Sequence, residues 1–390
     1  MFINKLKENN PALLQYAFEA HRRGDILPDT YLLDLDAITE NGKKMISAAR
    51  ENGVVLYFML KQIGRNPLVA KRLMEIGFQG CVAVDFREAL RMVEEGIHLG
   101  NVGHLVQVPS HALKTILAAR PDVVTVYTRE KIREIDRTAG ELGLCQPLLL
   151  RITDPDGSLY SGQTGGFCSQ ELPELIDFIG SLSHVKIGGF TTFPALLYEE
   201  NAKAIVPTPN MKGLERAVEL ARARGLKELI INIPSATCVS SIPLIHALGG
   251  NNGEPGHGLT GTTPLHRDTC QPEKVGYAYV TEVSHNFGDH AYCYGGGLYR
   301  RGHMENALVG TSPQDCRSMK VAPPDLDSID YYYELEEPCT VSDTVVLCHR
   351  TQIFTVRSEV AVVEGLSAGK PVIAGRFSPL GRPVSKEWRE

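Results

Sequence analysis

The chain has 390 residues, which is too long for one ordinary core and suits two domains. Its net charge is −6 and it has no dense lysine and arginine tract, so nucleic acid and an anionic membrane are not expected partners. Neither a signal peptide nor a membrane-length apolar run is visible, and the nine scattered cysteines form no CxxC pair, which together predict a cytoplasmic location.

The first predicted strand is "TYLLDLD", which is expected to pair into a later β domain. The run Val54 to Leu60 reads as a strand buried on both faces, as in a parallel sheet, and it delivers Lys61 at its end. Seven further apolar runs alternate with helical patterns: "GCVAVD", "NVGHLVQV", "DVVTVYT", "PLLLRITD", "VKIGGFTTF", "ELIINIPSAT" and "HALGGNNGEPG". Eight strand–helix units over about 210 residues predict a (β/α)8 TIM barrel.

Beyond about Leu265 the pattern changes to short strands separated by Gly, Pro and Asp, which predicts a C-terminal β domain. The strand-like segments are "VGYAYVTEVS", "HAYCYGGGLY", "ENALVG", "DTVVLC", "QIFTVRS" and "VAVVEG". We therefore predict an N-terminal segment, 1–36, whose strand joins the β domain, a barrel over 37–265 and a β domain over 266–390.

In a (β/α)8 barrel the chemistry lies at the carboxyl ends of the strands. These ends bring together Lys61, the carboxylate of Glu254, and the small residues Ser235, Thr237 and Gly256, which can donate hydrogen bonds to a phosphate. Taken singly, each has a plainer interpretation as a surface cation, a loop acid, a helix cap or a turn. Together they match the requirements of pyridoxal 5'-phosphate (PLP).

The same residues resemble the alanine racemase-like, fold-type III PLP enzymes, a family that includes ornithine and diaminopimelate decarboxylases, and most of all its YhfX-type members. The resemblance implies that Lys61 in "YFMLKQIG" forms a Schiff base with PLP. Arg151 in "LLLRITD" would stand near the cofactor, and Glu254 in "EPGHGLTG" would pair with the pyridine nitrogen. The next residues of that motif, Gly256 and His257, take positions that help to hold the phosphate.

The chain also departs from the family pattern. Thr192 in "TTFP" occupies the position where the family stacks a histidine on the PLP ring. Leu326 replaces the catalytic cysteine of the decarboxylases, and Gly296 replaces the aspartate that grips a distal amine. Phe354 replaces a phosphate-binding tyrosine. These departures disfavour a diamine-type decarboxylase.

The resemblance predicts an enzyme that acts at Cα of an amino acid substrate, and we expect a racemase. A decarboxylase and a lyase similar to D-threonine aldolase or D-serine dehydratase remain open, as do a non-catalytic PLP-binding protein and an aldolase that uses Lys61 without a cofactor. Racemisation needs a second acid or base on the opposite face of Cα, which the family takes from the β domain of a partner subunit. We expect a homodimer with composite sites and choose Tyr299 and Asp327 over Cys293 and Cys348.

No metal site is expected from the adjacent Cys348 and His349. Neighbouring side chains on a strand face opposite sides of the sheet, so these two cannot readily bind one ion.

Overall fold

The computed structural model describes residues 2–385. The chain divides into two compact units. The barrel unit consists of Lys44–Leu60 and Ala70–Gly256, and the β unit consists of Met1–Lys43, Lys61–Val69 and His257–Glu390. Within the described range, no helix has the length and apolar character needed to cross a bilayer.

The strands of the described residues, in chain order, are β1 (Thr30–Asp34), β2 (Val55–Met59), β3 (Gly80–Ala83), β4 (Leu99–Val102), β5 (Val123–Val126), β6 (Gln146–Arg151), β7 (Val185–Thr191), β8 (Leu196–Glu199), β9 (Ala204–Pro207), β10 (Ile230–Asn232), β11 (Asn252–Gly253), β12 (Tyr277–Phe287), β13 (His290–Tyr294), β14 (Asn306–Gly310), β15 (Cys316–Ala322), β16 (Tyr332–Leu335), β17 (Thr344–Leu347), β18 (Glu359–Glu364) and β19 (Val372–Phe377).

The α-helices of the same range are α1 (Ile3–Asn9), α2 (Pro11–Arg22), α3 (Leu35–Glu51), α4 (Pro67–Glu75), α5 (Phe86–Glu94), α6 (Ser110–Ala118), α7 (Arg129–Glu141), α8 (Leu172–Gly180), α9 (Asn210–Ala223), α10 (Ile242–Ala247) and α11 (Pro264–Asp268). Short 3-10 helices occur at Lys61–Ile63, Ser169–Glu171, Val239–Ser241 and Ile353–Thr355.

Eight parallel strands close into a barrel in the order β10, β11, β2, β3, β4, β5, β6 and β7, which confirms the predicted (β/α)8 architecture. The antiparallel hairpin of β8 and β9 is inserted after β7 and was not predicted from the sequence. The strand expected in "NVGHLVQV" is β4, which begins two residues earlier and ends at Val102. His104 therefore lies after the strand, at its carboxyl end.

Successive side chains of each barrel strand point to opposite faces of the barrel wall. Along β2, Phe58 packs edge-on against Phe78, with ring centroids 5.7 Å apart. Its neighbour Tyr57 belongs to a buried cluster with Met59, Val82 of β3 and Val84 just after β3. Gly100 in β4 makes room for the Tyr57 ring, because a Cβ at that position would lie 2.4 Å from a ring carbon.

The β unit is built on a nine-stranded sheet in the order β13, β16, β15, β14, β17, β12, β1, β18 and β19, with a further pairing between β13 and β12. Most neighbours are antiparallel, and the C-terminal β domain expected from the sequence is confirmed. The N-terminal strand β1 lies inside this sheet, antiparallel to β12 and parallel to β18.

The predicted strand in "QIFTVRS" is wrong, because this segment forms the 3-10 helix Ile353–Thr355 and the coil around it. The reason is topological: β17 and β18 are separated in the sheet by β12 and β1, so the chain between them must cross two strands instead of pairing with one. Three strands of the β unit, β15, β16 and β19, were not predicted.

Candidate active site

The carboxylate of Glu254 is the centre of a buried polar group at the carboxyl end of the barrel strands. Glu254 follows β11 directly and is 4% exposed. Its Oε1 accepts hydrogen bonds from the side-chain amides of Asn101 and Asn232, each at 2.8 Å. Its backbone N–H donates to the Thr237 hydroxyl at 3.3 Å. Burial of a carboxylate is tolerable only with such partners, so the barrel is built to hold an acid here.

The two amides are themselves fixed by the barrel strands. Asn101 in β4 accepts a hydrogen bond from the Thr125 hydroxyl of β5 at 2.7 Å. Asn232, the last residue of β10, also donates to the Thr191 hydroxyl of β7 at 3.2 Å. Each amide group is thus oriented with its Nδ2 donor toward Glu254.

A histidine completes this group. His104 is 1% exposed, and its Nε2 lies 3.5 Å from Oε2 of Glu254. Its ring stands edge-on to Phe193, with centroids 5.2 Å apart. The His104 carbonyl accepts a 2.6 Å hydrogen bond from the hydroxyl of Tyr127.

Arg151 ends β6 and is almost completely buried. Its Nη1 donates to the Tyr127 hydroxyl at 3.1 Å and its Nη2 to the Gln163 carbonyl at 2.7 Å. The guanidinium also lies over the Tyr127 ring, 5.0 Å from the centroid. The Nε of Arg151 is buried without a hydrogen-bond partner among the described residues, so one donor is available to a ligand.

The turn after β10 carries Ser235 and Thr237, both predicted to help hold a phosphate. Ser235 and Ala236 have φ values of 84° and 48°, a left-handed conformation that is uncommon for residues other than glycine. The Ser235 hydroxyl accepts a hydrogen bond from the Ala195 N–H at 3.3 Å. Backbone strain of this kind clusters at ligand-binding sites, so the turn supports a binding role.

Thr192 follows β7 and precedes the cis peptide bond between Phe193 and Pro194. Its hydroxyl is committed to the Ile152 carbonyl at 3.0 Å, which fixes the ends of two barrel strands together. Gly256 is buried at the end of the barrel unit, and the Pro255 carbonyl beside it accepts the Met59 N–H of β2 at 2.8 Å.

In the β unit, Lys61 and His257 lie within electrostatic reach of each other. Lys61 begins the 3-10 helix two residues after β2, and both side chains are buried. Burial lowers the pKa of His257 well below its usual range, and the positive charges of Arg350 and Lys61 lower it further. His257 Nδ1 is 3.4 Å from the Thr262 hydroxyl, whereas its Nε2 is buried without a hydrogen-bond partner in the described range. The positive charges that act on this buried imidazole would also attract an anionic ligand.

The structure does not bring the two predicted residues of the second face into either group. Tyr299 is half-buried in the loop between β13 and β14, and its carbonyl accepts the Gly302 N–H at 2.7 Å. Asp327 is exposed in the loop between β15 and β16. Within residues 2–385, no group of three or more His, Cys, Asp or Glu side chains is arranged to hold a metal ion.

Three residues of the Glu254 group were missed in the sequence, namely Asn101, Asn232 and His104. Asparagine inside an apolar strand indicates a buried amide that needs a partner, but it does not identify the partner. His104 lay within a segment predicted to be a strand, so its place at a strand end was not visible in the sequence.

These residues fit PLP. PLP needs a buried acid for its pyridine nitrogen, hydrogen-bond donors for its phosphate and a lysine for its aldehyde. Glu254 is such an acid, while the unpartnered donor of Arg151, the strained turn at Ser235 and the unpartnered imidazole of His257 are suited to anionic and polar atoms.

Comparison with known proteins agrees with the (β/α)8 barrel and β domain described above. Residues 33–264 match the alanine racemase N-terminal domain, and residues 278–373 match the YhfX-like C-terminal domain. The chain is 42% identical over 385 residues to the uncharacterized protein YhfX of Escherichia coli (strain K12), covering 98% of this chain and all of that protein.

Two solved structures share the fold at low identity. D-threonine aldolase from Filomicrobium marinum matches with a TM-score of 0.65 and 15% identity, covering 91% of this chain and 95% of that one. Alanine racemase of Clostridium difficile 630, in complex with cycloserine, matches with a TM-score of 0.64 and 15% identity over 91% of this chain and 99% of that one. Because the alanine racemase N-terminal domain matches more than half of the chain and a 42% identical relative matches 98% of it, the chain belongs to the alanine racemase-like, fold-type III family and to its YhfX-like branch.

Proposed function

We propose that the protein is a PLP-dependent enzyme that acts at Cα of an amino acid, and that it is an amino acid racemase. The observation that carries this proposal is the buried carboxylate of Glu254, held by the amides of Asn101 and Asn232 at the carboxyl end of the barrel. An acid in this position suits the pyridine nitrogen of PLP. When bound, PLP supplies an electron sink that stabilises negative charge at Cα.

Each residue then has a defined task. Lys61 Nζ would bind PLP covalently and, once displaced by the substrate amine, remove or return the Cα proton on one face. Glu254 would orient the pyridine ring through its nitrogen. Arg151, Ser235, Thr237, Gly256 and His257 would bind the remaining polar atoms of PLP, and Thr192 would hold the strand ends at which the ring is placed.

Racemisation further requires a proton donor on the opposite face of Cα. We propose that the partner subunit of a homodimer supplies it from its β domain, through the Tyr299 hydroxyl or the Asp327 carboxylate. Tyr299 is half-buried and Asp327 is exposed within the single chain, so both have surface that a second subunit can cover.

The reaction class is tested by incubating the PLP-loaded protein with pooled L-amino acids in D₂O. A racemase incorporates deuterium at Cα and yields the D-enantiomer, a decarboxylase releases CO₂, and a D-threonine aldolase-type lyase releases an aldehyde. Lys61→Ala should abolish deuterium incorporation. Lys71→Ala, which removes an exposed lysine paired with Glu95, is the matched control and should retain it. Deuterium incorporation at the wild-type rate in the Lys61→Ala protein would refute the proposed role of Lys61.

A further inference from the structure

His104 has no part in the roles assigned so far, yet it belongs to the buried polar group around Glu254. Its Nε2 is 3.5 Å from Glu254 Oε2, and neither side chain has more than 1% of its surface exposed. It is held on two sides, by the edge-on ring of Phe193 and by the hydrogen bond from Tyr127 to its carbonyl. An imidazole N–H at this distance can stabilise the charged form of a buried carboxyl group.

The charge of Glu254 depends on two opposing effects. Burial favours the neutral carboxylic acid, because a charged group loses the stabilisation of water. Hydrogen bonds from N–H donors favour the charged carboxylate. Asn101 and Asn232 supply two donors, both to Oε1. The Nε2 of His104 is 3.5 Å from the other carboxyl oxygen, Oε2.

We propose that His104 is a positioning residue whose imidazole N–H stabilises the negative charge on Oε2 of Glu254. This inference rests on the proposed function, since the charge matters through the pyridine nitrogen of bound PLP. A charged Glu254 leaves the shared proton on that nitrogen, whereas a Glu254 deprived of His104 takes the proton itself. His104 thus sets how strongly the ring withdraws electrons, while touching neither substrate nor cofactor in this assignment.

The test is the ¹⁵N resonance of the ring nitrogen in protein loaded with ¹⁵N-labelled PLP. The wild-type resonance should lie at the pyridinium position. His104→Leu should move it toward neutral pyridine, and His104→Gln, whose amide can donate to the same oxygen, should restore most of the wild-type position. A residue with a merely structural role would not give a shift that a donor side chain reverses.

The matched control is His98, which lies just before β4, whereas His104 lies just after it. Its Nε2 pairs with Asp122 at 2.8 Å, and its side chain is 39% exposed. His98→Gln should leave the ¹⁵N resonance unchanged. In a Glu254→Gln background, His104→Leu should cause no further shift, because the charge on which it acts has been removed.

The outcomes separate this inference from the proposed function. If PLP binds at Lys61 but the resonance of folded His104→Leu equals that of the wild type, the role of His104 is refuted and the proposed function stands. A shift that persists in the Glu254→Gln background would refute action through Glu254. If the wild-type protein binds no PLP, both proposals fail. Near-ultraviolet circular dichroism confirms that each variant is folded, and His104→Gln replaces His104→Leu as the test variant if the latter does not fold, with a smaller shift expected in the same direction.

Discussion

At the scale of single residues, the site depends on the carboxylate of Glu254, whose loss of hydration on burial is compensated by hydrogen bonds. The effective desolvation penalty of a buried ion is several kcal/mol, and hydrogen bonds from fixed donors must offset it. Asn101 and Asn232 are fixed donors because Thr125 and Thr191 orient them from neighbouring strands. The hydrogen bonds that stabilise the buried carboxylate of Glu254 therefore lie together at one end of the barrel.

Glu254→Ala should leave PLP bound, since Lys61 and the phosphate-binding residues are retained. Deuterium exchange at Cα should fall by about 100-fold or more, because the charge that develops in the transition state loses its electrostatic support through the ring. Exchange is measured by mass spectrometry of the recovered amino acid, and PLP content by absorbance. Glu228→Ala, on the loop before β10, is an exposed control. Wild-type exchange in Glu254→Ala would show that this acid does not act on the ring.

The positions of Lys61 and Glu254 after barrel strands could be predicted from the sequence, because each residue follows an apolar run that forms such a strand. The amides around Glu254 could not. Strands of a parallel barrel are buried on both faces, so their apolar runs do not show which side chains point inward. Asn101 therefore gave no indication of its direction, and His104 was hidden inside a segment read as strand.

At the scale of elements, the β unit contains a buried polar cluster around its N-terminal strand. Asp29, just before β1, accepts hydrogen bonds from the hydroxyls of Tyr279, at 2.9 Å, and Ser358. Burial raises the pKa of Asp29 from 3.8 to about 6. His349 Nε2 lies 3.1 Å from the Tyr31 hydroxyl of β1, and burial lowers the pKa of His349 to about 4. These two groups make opposite contributions to the pH dependence of stability.

Asp29→Asn tests the first contribution. The raised pKa means that the folded state binds a proton between about pH 4 and 6 that the unfolded state has released. Stability from Asp29 is therefore present below pH 4 and lost as the pH rises through 6. The free energy of unfolding, measured with urea, should be higher for the wild type than for Asp29→Asn at low pH. This difference should decrease by at most about 3 kcal/mol over that pH range. Asparagine tolerates the left-handed backbone of residue 29, where φ is 64°.

The exposed Asp289, in the turn between β12 and β13, provides the control, and Asp289→Asn should show no such trend. A wild-type advantage over Asp29→Asn that is constant with pH would contradict the burial of an uncharged carboxyl group at position 29.

His349→Gln tests the opposite contribution. The lowered pKa means that the folded state excludes a proton that the unfolded state binds between about pH 6.5 and 4. Stability from His349 is therefore present above pH 6.5 and lost as the pH falls through 4. The difference in free energy of unfolding between the wild type and His349→Gln should decrease by about 3 kcal/mol as the pH falls over this range. His285→Gln, at an exposed position of β12, should show no such decrease. An advantage that grows on acidification would contradict a buried neutral His349.

The elements themselves were predictable to different degrees. The barrel strands could be identified because each apolar run is followed by a helical pattern. The β unit was harder, because its strands are paired by long-range connections that local patterns do not encode. "QIFTVRS" has the composition of a strand, yet it spans the crossing from β17 to β18 and has no strand to pair with.

At the scale of the whole molecule, the central question is whether one chain contains a complete site. We propose that it does not, because the second acid or base of a racemase would come from the β domain of a partner subunit. C2 symmetry would make both sites of a dimer equivalent. Excluding water from both faces of Cα would prevent uncontrolled protonation.

Mixing Lys61→Ala with Asp327→Ala tests the shared site. Each homodimer should be inactive if Asp327 is the second acid or base. After random subunit exchange about a quarter of the sites should regain both groups, by counting over C2 pairs. The same mixture with Tyr299→Phe in place of Asp327→Ala assigns the role between the two candidates. If subunit exchange is proven and neither mixture recovers activity, the composite site is refuted. It is also refuted if the active enzyme is a monomer by analytical ultracentrifugation.

Locating PLP on the polypeptide tests directly whether Lys61 binds the cofactor. The purified, PLP-loaded protein is reduced with borohydride, digested and mapped by mass spectrometry. We predict a pyridoxyl group on the peptide that contains Lys61 and loss of the PLP absorbance band in Lys61→Ala, with the band retained in Lys71→Ala. A pyridoxyl group on another lysine would contradict the proposed role of Lys61, and the absence of bound PLP would contradict the proposed function.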